Sequence, residues 1–332
     1  MSQHAFDKHQ NYHYHHQVIQ AVTRPAGLPL PTLTRVDSLN YRGIAYSRIS
    51  DLGRDAVLRR LSVLCHPEKR LLREGYSMPP TTYLPCPDTA SSEPKSAAIV
   101  LDCEMAGAVG GHEEVIQLTL VDFLSGDVLQ NCLVNPSDPI KDWREDITGI
   151  NAVRMRESVA RNEALHGWIA ARDELWRFAD KDTILIGQSV YHDLRVLHTH
   201  HTKIVDSAIV TADAVLRNRA KIRKRWGLET LSRELLGIQI RNPSQTTGGN
   251  PTHDALEDAL AARELILLCA LRPDKLEIWA CATRKVFFKK TNNQRKRAPQ
   301  RKARGQEDIE RTLKWEDVVD YETWPKSPPD SD

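Results

Sequence analysis

The chain has 332 residues, 40% of them hydrophobic and 27% charged, and its 46 Lys and Arg against 44 Asp and Glu leave a net charge of +2. This mixture excludes a wholly disordered, collagenous or coiled-coil protein and allows for about two domains. The six cysteines (Cys65, Cys86, Cys103, Cys132, Cys269, Cys281) include no CxxC pair, so neither paired-finger metal spacing nor a dense disulfide framework is expected, and a reducing compartment fits.

No apolar run approaches the ~20 residues that span a bilayer, and the opening MSQHAFDKHQNYHYHHQ lacks the apolar core of a signal peptide. The expectation is a soluble intracellular protein with no membrane partner. Residues 1–95 read as an N-terminal extension: five histidines among the first 16 residues without metal-finger spacing, one helix from about Arg48 to Cys65, and a linker, TASSEPK, at 89–95. From residue 96 to 272 the pattern is that of a compact α/β domain. Ala97–Leu101 is a continuous apolar run, as in a strand buried on both faces. Val115–Phe123 and Val128–Val134, separated by Ser125-Gly126-Asp127, predict a hairpin. Helical spacing over Glu163–Phe178 is followed by a buried strand at Thr183–Gly187, a short helix containing Leu194–Leu197 and a strand at Lys203–Asp206. Helices are predicted over Leu228–Leu236 and Asp254–Leu268, the last capped at Pro251-Thr252. A hairpin joined to alternating strands and helices implies a mixed sheet flanked by helices. Residues 273–332 form a charged tail, with ten Lys or Arg and no acid at 284–304, then nine acids against three bases at 307–332; such blocks are expected to be flexible.

Asp102 and Glu104 are two residues apart at the end of the first buried strand, so both carboxylates leave one face. Paired carboxylates are costly unless something cationic sits between them, and hard oxygen ligands suit Mg²⁺ or Mn²⁺. Asp193 follows the strand at 183–187 and comes beside them if the two strands are neighbours. His253 and Asp258 open the last long helix, a placement that suits a mobile general base and a fixed metal ligand. Each alone has a plain structural explanation: strand-end acids, a helix acid, a histidine at a helix start. In this order they resemble the DnaQ-like DEDD exonucleases of the histidine subclass (DEDDh). LDCEM at 101–105, DWREDITGI at 142–150, GQSVYHDLRVL at 187–197, LETLSRELLGIQI at 228–240 and HDALEDALAARELI at 253–266 are similar to the eukaryotic RNA exonuclease branch. Gln188, His192 and Trp143 depart from the family's usual His, Asn and Tyr.

The resemblance implies an α/β, RNase H-like exonuclease fold with a mixed central sheet. It implies 3′→5′ hydrolysis of RNA, in processing or turnover, releasing nucleoside 5′-monophosphates. Asp102, Glu104, Asp193 and Asp258 are then ligands of two divalent ions, Mg²⁺ or Mn²⁺, and His253 the general base, with His192 a rival. By analogy Met105 lies near the terminal sugar. Asp206 reads as a strand-end acid capping the next helix. Arg217, Arg219, Lys221, Arg223, Lys224 and Arg225 place six cations in nine residues, a solvated face or a phosphate-tracking surface, with Arg223, Lys224 and Arg225 the substrate-binding candidates. The basic tail points to nuclear or nucleolar entry or to an RNA arm. The expected partner is a single-stranded RNA 3′ end. A DNA exonuclease and a non-catalytic nucleic-acid-binding adaptor are the alternatives; no small-molecule cofactor is expected, and oligomeric state is not legible.

Overall fold

The structure, a computed structural model, describes residues 33–78, 82–88, 94–217, 224–242 and 252–297, with side chains from Leu39 to Lys289. Strands β1 (Leu33–Tyr41) and β2 (Ile44–Ile49) form a hairpin that the sequence pattern does not announce. Its two turn residues, Arg42 and Gly43, have φ of 47° and 74°, the left-handed pair that a tight two-residue hairpin loop requires. Helix α1 (Asp51–Leu64) lies within the expected Arg48–Cys65 and buries Gly53, Val57, Leu61 and Leu64, a stripe at helical spacing. After α2 (Glu68–Arg73) and the short strand β3 (Leu84–Pro85), the chain enters the main sheet.

The first sheet strand, β4 (Ala98–Ala108), is longer than its apolar run because it continues through the acids. Strands β5 (Glu113–Asp122) and β6 (Val128–Asn135) form the predicted antiparallel hairpin. Strand β7 (Ile140–Asp142), helices α3 (Glu145–Thr148) and α4 (Ala152–Ala160), strand β8 (Leu165–His166) and helix α5 (Gly167–Phe178) come after it. Next come β9 (Ile184–Gly187), α6 (Tyr191–Val196), β10 (Thr199–His200), which pairs with β3, β11 (Ile204–Asp206) and α7 (Ser207–Leu216). The predicted helix at 228–236 is a short α8 (Leu228–Leu231) that continues as a π-turn over Ser232–Leu236. Helices α9 (Ala255–Leu271) and α10 (Pro273–Arg297) complete the described residues. Among them, no helix is long and apolar enough to cross a membrane.

The seven-stranded sheet is ordered β11-β9-β4-β5-β6-β8, with β7 paired to the far end of β4. It is mixed: β9 and β11 run parallel to β4, while β5 and β7 run antiparallel to it. Alternation splits β4 between two cores. Ala98 and Val100 face α1, α7 and α9, whereas Ile99, Leu101 and Cys103 face α2, α5 and α6. This is the mixed α/β, RNase H-like architecture that the sequence led us to expect.

Two boundaries need correction. The core does not begin at residue 96, because Tyr46 and Ile49 of β2 pack with α1 into the cluster around α9. Helix α9 is buried on all sides, and a helix apolar all round needs cover on all sides. Its Arg263 donates to the carbonyls of Phe123 and Ser47, each at 2.8 Å, and Ser47 donates from its backbone N–H to Glu264 at 3.0 Å. Nor does the core end at 272: α10 brings Leu276, Trp279 and Ala280 into the same cluster, and Arg284 donates to the carbonyls of Ala214 and Val215 at the end of α7. Helical spacing within a charged segment suffices to bury one stripe. The histidines of residues 1–16 and the acidic stretch 307–332 lie outside the described residues.

Candidate active site

Strand β4 carries Asp102 and Glu104 on one face, and its register breaks between Glu104 and Met105. A bulge at that point bends the strand and re-aims the side chains beyond it; Met105 is half-buried against the α5/α6 side. On the edge away from β5, pairing with β9 covers Ala98 to Val100 and pairing with β7 resumes at Gly107. The intervening edge takes side chains in place of a strand: the Cys103 N–H donates to Asp193 Oδ1 at 2.8 Å. Gly187, at the end of β9, permits this approach, since a Cβ there would meet the Leu101 carbonyl oxygen at 2.7 Å. Asp193, in the first turn of α6, is thereby seated against β4 as the sequence required.

Helix α9 supplies the other side. Its N-cap is Asp254, not the predicted Pro251-Thr252: the Asp254 carboxylate accepts from Leu256 and Glu257 N–H at 3.0 Å each. The same carboxylate is gripped by the hairpin, with Tyr41 Oη donating at 3.0 and 3.1 Å and Arg42 at 2.7 Å. His253 precedes the cap, and its N–H donates to the Ile147 carbonyl at 2.5 Å. The motif 142–150 therefore has a structural task. Arg144 and Arg195 both pair with Glu113, at 2.9 and 2.6 Å, joining that loop to α6.

Ligand atoms of Glu104, His253 and Asp258 lie within 4.8 Å of one another, and His253 Nδ1 stands 3.6 Å from Asp258 Oδ2. Glu104, Asp193 and Asp258 are 6%, 4% and 4% exposed, while Asp102 opens further to solvent. Burial and then the neighbouring carboxylates push Asp102 and Glu104 well above the usual carboxylate range, with Arg241 opposing. Burial likewise raises Asp193, against the hydrogen bonds from the Cys103 backbone. An all-oxygen set with one imidazole and excess negative charge fits a hard divalent cation. The His253 imidazole is lowered to about 4 by burial and by Arg241, with Asp258 pulling the other way; it is neutral at pH 7.

Arg241 is the site residue that sequence motifs do not reveal. It comes directly after the GIQI segment, and its Nη2 and Nε donate to Asp258 Oδ2 and Oδ1 at 2.6 and 3.3 Å. Burial works against its charge, but Asp258, Glu104 and Asp102 outweigh that and hold it protonated. One arginine after a strand-like segment carries no signal of its own. His192, the rival base, is half-buried on the Tyr191 ring. Burial lowers it to about 4, and its charged neighbours are Glu113, Arg195 and Arg144 rather than the carboxylate cluster. Asp206 caps α7 through the Ala208 N–H and also accepts from Tyr76. Gln188 is structural: it accepts from Ser207 and donates to the Trp226 carbonyl.

Among the described residues of the basic stretch at 217–225, both arginines are engaged in ion pairs. Arg217 pairs with Glu277. Arg225 turns inward onto Glu74, which Arg70 also holds at 2.8 Å while reaching Asp213 at 2.6 Å. A guanidinium committed to a largely buried carboxylate is not free for a polyanion. Lys224 is half-buried, and Arg219, Lys221 and Arg223 lie outside the described residues.

A helix-flanked mixed sheet whose central strand presents two acids, met by acids from two helices, defines an RNase H-like nuclease domain. Residues 99–266, about half of the chain, match the family RNase_T, described as exonuclease, and the protein belongs to that family. It is 32% identical over 174 residues to "Small RNA degrading nuclease 2" of Arabidopsis thaliana, covering 52% of this chain and 34% of that protein. It is 31% identical over 166 residues to "RNA exonuclease 3" of Saccharomyces cerevisiae, covering 50% and 36% respectively. The chain thus spans about a third of the length of these curated relatives. Among solved structures it resembles the Saccharomyces cerevisiae Pan2 pseudoubiquitin hydrolase–RNA exonuclease module, at 15% identity and a TM-score of 0.46, covering 64% of this chain and 35% of that one.

Proposed function

We propose that the protein is a divalent-metal-dependent 3′→5′ exoribonuclease that removes nucleoside 5′-monophosphates from single-stranded RNA ends. The observation that carries this reading is the convergence of Asp102, Glu104, Asp193 and Asp258 with a neutral His253. The relatives' names, "RNA exonuclease 3" and "Small RNA degrading nuclease 2", support RNA as the substrate.

The four carboxylates would hold two Mg²⁺ ions, which when bound supply positive charge against the scissile phosphate and the leaving oxygen. Neutral His253 offers a lone pair to the proton of the attacking water, and it is positioned through its backbone by Ile147 and through its neighbour Asp254 by the hairpin. The Cys103 N–H orients the Asp193 carboxylate from the strand side. By analogy with the family, Met105, just beyond the bulge, would lie near the terminal sugar.

The test is a time course on 5′-labelled single-stranded RNA and matched DNA, with Mg²⁺, with EDTA, with Asp102→Ala, and with a 3′-phosphate-blocked RNA. The expected result is a ladder shrinking from the 3′ end, strongest on RNA and lost with EDTA and with the variant. Salt-sensitive binding without cleavage in Mg²⁺ or Mn²⁺ would sink the reading.

A further inference from the structure

Both oxygens of Asp258, a proposed metal ligand, accept from the Arg241 fork, at 2.6 and 3.3 Å. The pair is buried, with side-chain exposures of 15% for Arg241 and 5% for Asp258. Arg241 also faces Glu104 and Asp102, so one guanidinium stands against three of the four carboxylates. Its backbone is held separately: the Arg241 N–H donates to Glu257 Oε2 at 2.8 Å, and its φ is 58°. A left-handed non-glycine residue persists only when its surroundings hold it there. The anchor is thus fixed, and the long side chain is the part that can move.

We infer that Arg241 is a tethered counter-cation that competes electrostatically with the metal for Asp258, so that a divalent ion binding this carboxylate loosens the guanidinium's grip on it. The inference rests on the proposed metal site. A guanidinium and a divalent ion drawn to the same buried carboxylate repel one another in a poorly solvated site, so each weakens the other's hold on it. Arg241 keeps the acidic cluster together without metal and raises the metal concentration at which the site fills. It is a positioning residue acting through Asp258.

Calorimetric titration of the protein with Mn²⁺ alone, without RNA, tests this on wild type, Arg241→Gln, Arg241→Lys and Asp102→Asn. Arg241→Gln should bind Mn²⁺ on the order of tenfold more tightly, because removing one partner leaves the buried carboxylates uncompensated until metal arrives. Arg241→Lys should fall between, since an ammonium cannot grip both oxygens. In EDTA, Arg241→Gln should melt below wild type and gain more than wild type from added Mn²⁺. If Arg241→Gln and Arg241→Lys bind Mn²⁺ no more tightly than wild type does, the competition is overturned while the metal site stands. If neither wild type nor any variant binds Mn²⁺, the metal site itself falls, and this inference with it.

Discussion

Burial and the neighbouring Arg241 hold the His253 ring neutral down to about pH 4, which keeps it ready to accept a proton throughout the physiological range. His253→Ala should lower kcat on the order of 10²–10⁴-fold, the usual effect of losing a general base, and His192→Ala should change it little; single-turnover rates on labelled RNA would show which. Both histidines are candidates in the sequence, and only three-dimensional neighbours distinguish them. The acids are more legible. Period-two alternation puts Asp102 and Glu104 on one face whatever the rest of the fold does. Arg241 is illegible because its meaning lies in the 17-residue step back to it from the motif carboxylate it grips.

Helix α9 couples stability to chemistry, since the element that carries Asp258 is also the most deeply covered in the molecule. Tyr41→Phe removes the hydroxyl that steadies its N-cap. It should cost about 1 kcal/mol of stability, a typical net hydrogen bond, and lower kcat more than it raises KM, because Asp254 adjoins His253 rather than the substrate. Gly187→Ala should cost about 1–3 kcal/mol, the usual range for overpacking, since its Cβ would collide with the Leu101 carbonyl. Denaturant melts of both variants would measure these losses. Hydrophobic runs announce β4, β9 and α9. The β1–β2 hairpin escapes notice because its signal is one Arg-Gly turn between short polar-rich strands, and its burial depends on α9, more than 200 residues away.

At the scale of the molecule, buried acids and buried imidazoles impose opposite pH dependences. His66, His192, His201 and His253 are lowered by burial to about 3, 4, 4 and 4. The unfolded chain therefore takes up more protons below ~6.5, and stability from these groups is lost as pH falls through that window. Asp102, Glu104 and Asp193 are raised, so their contribution is lost as pH rises through their folded values. In EDTA the melting temperature should fall as pH climbs from about 6.5 toward about 8, the value to which burial raises Asp193, and Mn²⁺ should flatten that fall. A melt series that keeps rising to pH 8 in EDTA would contradict this account. A fragment limited to residues 96–272 should melt well below the full chain, because it exposes the faces of α9 that the hairpin, α1 and α10 cover. The compact middle is readable from its periodicity. Its outer cover is not, because a half-apolar hairpin and a basic helix look like solvent-facing chain until their partner is known.

The gap along β4 gives the protein its own spectroscopic gauge. The Cys103 amide hydrogen is shielded by the Asp193 side chain and not by a neighbouring backbone. Its deuterium exchange rate and amide proton chemical shift should therefore respond when that carboxylate changes partners, while the amides of Ile99 and Leu101 on the same strand stay still. One resonance would then report the loading of the site, without substrate and without a label on the metal.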